Sequence, residues 1–111
     1  MRRLFLNIEI KENGTWFHGS NQRFTMLKKG STITQWKALA EAFSHQPSSL
    51  SYEDNGIINH NGTEHGYLYV IDEPIVVGTD IYPHPRTTMD QNAEFLTARD
   101  LKVKLVSKLM V

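Results

Sequence analysis

The sequence predicts one α+β domain, made mostly of short antiparallel strands with one helix on a flank. Three observations predict this fold class. Several segments alternate apolar and polar residues with the period of two that is typical of half-buried strands. One segment repeats its apolar residues with helical spacing. The chain has 111 residues, the usual size of a single domain with its own core, so we treat residues 1–111 as one domain.

The first predicted element is a hairpin. Apolar and polar residues alternate over residues 4–10, which predicts a half-buried strand. Asn13 and Gly14 follow, and both residue types accept the positive φ of a tight hairpin turn. Residues 15–18 are therefore predicted to form the returning strand, which residues 19–21 would end.

A single helix is predicted over residues 35–43. Thr32 and Gln35 have the spacing of a capping box, in which two side chains satisfy backbone donors of the first turn. Pro47 would end the helix shortly after its last turn. The apolar residues predicted to share one face of this segment are Ile33, Trp36, Leu39, Ala40 and Phe43.

The second half of the chain is predicted to be mainly strands and turns. Residues 48–66 are polar and turn-rich, with a short hairpin around Ile57 and Ile58. Residues 67–71 form the clearest interior strand, and residues 75–77 are predicted to be a second strand or a bulged continuation. Residues 82–85 hold two prolines, which predicts an extended loop.

The C-terminal segment fits two patterns. Leu101, Val103 and Leu105 alternate as in a strand, whereas Leu101, Leu105 and Leu109 recur every fourth residue as in a helix. Because Val103 and Val106 are β-branched, we favour a strand over residues 101–106.

Composition limits the classes of function. Twelve basic residues balance twelve acidic ones, so the basic excess of a general nucleic-acid binder is missing and a small-molecule or protein partner is favoured. The chain has no cysteine, which excludes disulfides and a cysteine nucleophile and fits the cytoplasm. No apolar stretch reaches the roughly 20 residues of a membrane helix, and alternation after the basic start argues against a signal peptide. We expect a cytoplasmic protein without a membrane partner.

The histidines predict no metal site. Four of them lie outside the hairpin region, and the closest pair, His60 and His65, is five residues apart in a predicted loop. That spacing is not the helical pair of a zinc motif, so we expect no metal.

The run Phe17–Ser20 reads Phe-His-Gly-Ser and follows a predicted strand. In that setting it resembles the first signature of the diphtheria-toxin-like ADP-ribosyltransferases, closest in pattern to the small bacterial enzymes that modify rifamycins. Three further segments follow in the order of that family, and the resemblance spans residues 16–106. These are the Gly-Tyr-apolar-Tyr strand over residues 66–71, the acidic loop over residues 74–85, and a Glu-aromatic-apolar run at residues 93–96 before the last strand.

The resemblance implies two small, mostly antiparallel sheets around a cleft, NAD as the bound dinucleotide, and transfer of ADP-ribose. Its acceptor stays open, with a small molecule or a protein favoured over nucleic acid. In this family the His and the backbone after it hold NAD. His18 would bind ribose hydroxyls through one ring nitrogen, Gly19 would let the backbone approach the nicotinamide amide, and Ser20 completes the signature.

The aromatic residues of the expected nicotinamide pocket are tyrosines. Tyr67 and Tyr69 point to one face of their strand, so either could stack on the cationic ring, or both could simply be core residues. Family members have a strand that leads into a helix and supplies a further Tyr to the pocket. Here only Ser51 and Tyr52 are predicted to supply it.

The catalytic acid has two candidates. A carboxylate near the anomeric carbon stabilises the positive charge that develops on the ribose. Asp80 matches the position used by the rifamycin-modifying enzymes, where Asp replaces the more usual Glu, and Glu94 matches the position used by most members. Asp80 could instead start a turn, and Glu94 could be a solvated charge.

An alternative function belongs to another class. The chain is short and the middle tyrosine motif of the family is missing, as expected of a catalytically inactive relative or of an unrelated small binding protein. Such a protein, for example an inhibitor encoded by a mobile element, would act by protein–protein interaction.

Overall fold

The structure of the protein, a computed structural model, describes residues 9–11, 13–87, 89 and 92–110. Nine strands and one helix lie within those residues, which confirms the α+β class. In chain order they are β1 (Phe17–Ser20), β2 (Met26–Leu27), β3 (Thr32–Ile33), α1 (Lys37–Ser44), β4 (Leu50–Tyr52), β5 (Ile58–His60), β6 (Gly66–Ile71), β7 (Ile81–Pro83), β8 (Phe95–Thr97) and β9 (Leu101–Leu109). None of the described segments forms a helix with the length and apolarity needed to cross a bilayer.

The two larger sheets are antiparallel and form a half-barrel. Four strands pair in the order β1-β6-β9-β2, and three pair in the order β3-β8-β7. The backbones of Phe17 and Thr34 exchange hydrogen bonds of 2.7 and 3.0 Å, so the first residue of β1 pairs with the residue after β3 and links the two sheets. The hairpin of β4 and β5 is a separate two-stranded sheet.

The main core lies inside the half-barrel. Trp16 and Phe95 come from opposite parts of the chain, and their rings meet edge to face at 5.0 Å. Burying a large apolar side chain stabilises a fold by roughly 1.5–3 kcal/mol, so this cluster holds the two sheets together. Its members are Trp16, Leu27, Ile33, Tyr69, Ile81, Phe95, Leu101 and Val103.

Helix α1 packs on the outer face of β1 and β6, where two glycines make room for it. A Cβ on Gly19 would lie 1.8 Å from the backbone oxygen of Ala40, and one on Gly66 would lie 2.2 Å from Oγ of Ser44. The helix also buries Leu39 completely. The position that a Cβ of Gly19 would occupy is therefore filled by the helix. The absent side chain makes room for α1, and not for the ligand that the resemblance implied.

The predicted capping box is wrong. Thr32 lies in β3, and the side chain of Gln35 instead pairs with the backbone of Lys11 through hydrogen bonds of 2.8 and 2.9 Å. The helix begins at Lys37, and its N-cap residue Trp36 forms no side-chain cap. Thr32 pairs with a neighbouring strand and Gln35 binds the backbone of a distant residue, so neither caps the helix.

The strand predictions of the second half are largely confirmed. The hairpin around Ile57 and Ile58 exists as β4 and β5, and the C-terminal segment is a strand that continues to Leu109. The interior strand at residues 67–71 is β6. The patterns that predicted them are an apolar run for β6, turn residues for the hairpin and alternation for β9. All three are local properties of the chain, which explains this success.

Other boundaries differ from prediction. Strand β1 continues through Gly19 and Ser20, because both residues pair with β6. Residues 75–77 form no strand, since the backbone there turns back towards Asp80. Tyr82 and Pro83 belong to β7, a strand at the edge of its sheet, where proline is tolerated. Residues 4–8 of the predicted first strand lie outside the described residues.

Candidate functional site

A cavity of about 330 Å³ opens beside β1, and three of the predicted site residues line it. His18 and Gly19 come from β1, and Glu94 comes from the residue just before β8. The cavity therefore joins two segments of the resemblance that are more than seventy residues apart in sequence. The full lining consists of His18, Gly19, Ser31, Thr32, Phe43, Gln46, Pro47 and Glu94.

The ring of His18 is held in one orientation. Its Nδ1 lies 2.7 Å from the backbone oxygen of Thr32, and a carbonyl oxygen only accepts, so Nδ1 donates. Nε2 then carries the lone pair and can accept a hydrogen bond from a hydroxyl. Burial lowers the pKa of His18 below 6.5, and the hydrogen bond to Thr32 only partly opposes this effect. The ring is therefore neutral near pH 7.

This lowered pKa predicts a dependence of stability on pH. The unfolded chain binds a proton at His18 near pH 6.5, whereas the folded chain resists it, so the free energy of unfolding falls as the pH drops below 6.5 and through the folded pKa. Gln at position 18 could donate to Thr32 without titrating. We expect urea midpoints between pH 8 and pH 5 to fall less steeply for His18→Gln than for the wild type. Parallel curves for the two proteins would contradict this assignment.

Glu94 is half-buried and oriented by a neighbouring loop. The hydroxyl of Thr87 donates to Oε2 of Glu94, and the backbone oxygen of Glu94 accepts from the backbone nitrogen of His84 at 3.1 Å. Thr87 is itself held, because its Oγ1 accepts from the backbone nitrogen of Met89 at 3.1 Å. The loop thus fixes one carboxylate oxygen of a side chain that lines the cavity.

Asp80 lies outside this cavity, and both of its carboxylate oxygens are used by the fold. Oδ2 accepts from the backbone nitrogen of Val76 at 2.7 Å, and Oδ1 accepts from Nε of Arg99 at 2.9 Å. The hydrogen bond from Val76, followed by that from Arg99, lowers the pKa of Asp80. Arg99 also binds Glu73 at 2.8 Å. This arrangement holds the turn before β7 against the connection between β8 and β9.

The predicted stacking tyrosines do not line the cavity. Tyr69 is 1% exposed, and its ring stacks on Phe24 at 4.5 Å in the core. Its hydroxyl donates to the backbone oxygen of Gln22 at 2.7 Å and accepts from the backbone nitrogen of Phe24 at 3.1 Å. Burial raises the pKa of this hydroxyl. Tyr67 packs against the same core and has the guanidinium of Arg23 at 5.9 Å from its ring centre.

Tyr52 and Ser20 also lie elsewhere. The ring of Tyr52 meets that of Trp36 edge to face at 5.1 Å, and Oγ of Ser20 accepts from the backbone nitrogen of Gln22 at 3.1 Å. The aromatic ring that does line the cavity belongs to Phe43, in the last turn of α1. Its apolar spacing predicted a core residue, and no local sequence signal distinguishes it from one.

A larger cavity of about 430 Å³ lies near the turn at Asn13 and Gly14. The ionisable residue in its lining is Glu73, whose carboxylate already accepts from Arg99 at 2.8 Å and from the backbone nitrogen of Lys102 at 2.5 Å. The smaller cavity brings together a neutral imidazole and a carboxylate, so it is the better candidate for chemistry.

Two histidines that are well separated in sequence lie side by side in the structure. His45 and His60 stack with ring centres 5.5 Å apart, although they are far apart along the chain. Nδ1 of His45 lies 2.7 Å from the backbone oxygen of Glu64, and Nδ1 of His60 accepts from the backbone nitrogen of Gly62 at 3.0 Å. Among the described residues, no three His, Cys, Asp or Glu side chains form a group that could hold a metal ion.

Comparison with known proteins adds no assignment: no family model, curated protein or solved structure matches this chain.

Proposed function

We propose that the protein is an ADP-ribosyltransferase-like protein that binds NAD and transfers ADP-ribose to an acceptor. NAD would bind in the smaller cavity, lined by His18, Gly19 and Glu94, which we call the His18 cavity. The observation that carries the proposal is that His18, Gly19 and Glu94 line one cavity. The resemblance had assigned them to two separate motifs. The volume of about 330 Å³ lies at the lower end of ligand sites, so it suits one end of the dinucleotide.

The residues of the cavity suit this chemistry. NAD would supply the ADP-ribosyl group: the bond from ribose to nicotinamide would break, nicotinamide would leave with the electron pair, and a nucleophile of the acceptor would bond to the ribose carbon and give up its proton to solvent. Glu94 would stabilise the positive charge that develops on the ribose. His18, through Nε2, would accept a hydrogen bond from a ribose hydroxyl. Of the two acids, Glu94 is supported because Asp80 lies outside the cavity and binds Arg99.

The path of the chain also supports an ADP-ribosyltransferase-like fold. Strand β3 leads within three residues into α1. Residues 32–36 are therefore a better counterpart of the family's strand-to-helix segment than Ser51 and Tyr52. The helix contributes Phe43 to the cavity, which would supply an aromatic wall. We propose a cytoplasmic location and a small-molecule or protein acceptor, in keeping with the balanced charge.

The test is NAD titration by calorimetry, with thermal shift as a second readout. We expect saturable binding by the wild type and loss of that binding in His18→Ala. His65→Ala is the matched control, because His65 is exposed and does not line the cavity. Circular dichroism of all three proteins checks the fold. A wild type that does not bind millimolar NAD would reject the proposal.

A second candidate is a catalytically inactive relative that acts by binding another protein. The position of Tyr67, Tyr69 and Tyr52 outside the cavity favours it, since no tyrosine is placed to stack on nicotinamide there. Incubation with labelled NAD and a cell lysate separates the two candidates. Label transfer by the wild type but not by His18→Ala supports the enzyme, whereas NAD binding without transfer supports the inactive relative.

A further inference from the structure

The residue after the C-cap of α1 has an unusual backbone. Gln46 has a φ of 55°, in the left-handed region where the Cβ of an ordinary residue crowds the following carbonyl oxygen. Helices commonly end with such a residue, and it is usually glycine. A glutamine at this position therefore costs stability that a glycine would not.

The next residue adds a second cost. Pro47 follows Gln46, and the ring of a proline disfavours helical conformations of the residue before it in favour of extended ones. The left-handed conformation of Gln46 is thus disfavoured both by its own Cβ and by the proline that follows it. Residues held in unfavourable backbone conformations cluster at functional sites.

The fold gains little from the side chain of Gln46. The side chain is exposed, and its Nε2 reaches the backbone oxygen of Phe43 only at 3.3 Å, which is beyond the usual hydrogen-bond length. The firmer contact is made by the backbone nitrogen of Gln46, which donates to the same oxygen at 3.0 Å. Glycine would keep that contact.

What Gln46 does have is a place in the lining of the His18 cavity, which also includes His18 and Glu94. A primary amide offers a donor and an acceptor together, whereas the N–H of His18 is already bonded to Thr32 and a carboxylate only accepts. A carboxamide on a ligand presents the complementary pair. We propose that Gln46 is a binding residue of this cavity and that its side-chain amide recognises the carboxamide of nicotinamide. This inference rests on the proposed function.

The test compares stability with binding in Gln46→Gly and Gln46→Glu. Gln46→Gly relieves the backbone, so its thermal unfolding midpoint should rise by roughly 4–8 °C. Gln46→Glu keeps the backbone cost and the side-chain length but removes the amide donor, so its midpoint should not rise. Calorimetry should show both variants binding NAD about 3- to 10-fold more weakly than the wild type. Both should bind ADP-ribose, which lacks nicotinamide, as the wild type does.

Each outcome is decisive. A variant that is more stable and yet binds NAD less well cannot owe its defect to a damaged fold. Unchanged NAD affinity in both variants, while His18→Ala abolishes binding, would overturn this inference and leave the proposed function standing. Equal weakening for NAD and ADP-ribose would overturn the carboxamide assignment, and an unchanged midpoint for Gln46→Gly would remove its physical basis. A wild type that binds no NAD would remove both proposals.

Discussion

Gly19→Ala is expected to prevent folding or to cost more than about 4 kcal/mol, a large part of the roughly 5–15 kcal/mol that stabilises a domain. The added Cβ would lie 1.8 Å from the backbone oxygen of Ala40 and 2.9 Å from the backbone nitrogen of Ser44. Those atoms belong to α1, so a change of side-chain rotamer cannot relieve the clash. Either the helix moves away from β1 or the strand pairing with β6 breaks.

Soluble yield and urea denaturation measure this effect. Gly30→Ala is the matched control, because a Cβ there meets no atom within 4 Å and only the positive φ of 86° opposes it. We expect that control to lose about 1–2 kcal/mol. Ala40→Gly should not rescue Gly19→Ala, because the contact is with the backbone of residue 40. A Gly19→Ala protein as stable as Gly30→Ala would mean that α1 does not pack on β1 as described.

Glu94→Gln is expected to lower the rate of NAD cleavage by roughly 10²- to 10³-fold while NAD still binds. The substitution removes the negative charge but keeps an oxygen that can accept from the hydroxyl of Thr87. The loss should therefore appear in kcat more than in KM, since charge develops on the ribose only as the bond breaks. Release of nicotinamide, followed by chromatography, measures the rate.

Asp80→Asn is the control for this experiment. Asp80 binds Val76 and Arg99 outside the cavity, so its loss should lower stability without slowing cleavage per folded molecule. The opposite result, in which Asp80→Asn stops cleavage and Glu94→Gln does not, would transfer the role of the acid to Asp80. The resemblance to the rifamycin-modifying enzymes would then extend to the catalytic residue.

Sequence reasoning worked where the signal is local. Strand β9 alternates and contains β-branched residues, and β6 is an uninterrupted apolar and aromatic run, so both were predicted near their observed positions. The helix was predicted, but not its start, because Gln35 binds Lys11 instead of capping the first turn. A side chain that can satisfy either of two backbone groups carries no local sign of which one it meets.

Tertiary packing decided which predicted residues share a site. A Tyr facing a cleft and a Tyr in the core have the same sequence pattern, and only the stacking of Phe24 on Tyr69 placed that ring in the core. Asp80 and Glu94 were both candidates from the sequence, and the structure places Arg99 on Asp80 and the cavity beside Glu94. Such contacts join residues distant in the chain, and neither periodicity nor spacing describes them.

By itself, then, the sequence determined the α+β class, the order of most elements and a set of candidate site residues that includes His18, Glu94 and Asp80. Those features depend on hydrophobic alternation and on short motifs, which are properties of neighbouring residues. Only the tertiary structure decided three other features. These are the pairing that links the two sheets, the packing of α1 against Gly19 and Gly66, and the positive φ of Gln46. Each depends on the distance between atoms that the chain brings together only when its core is packed.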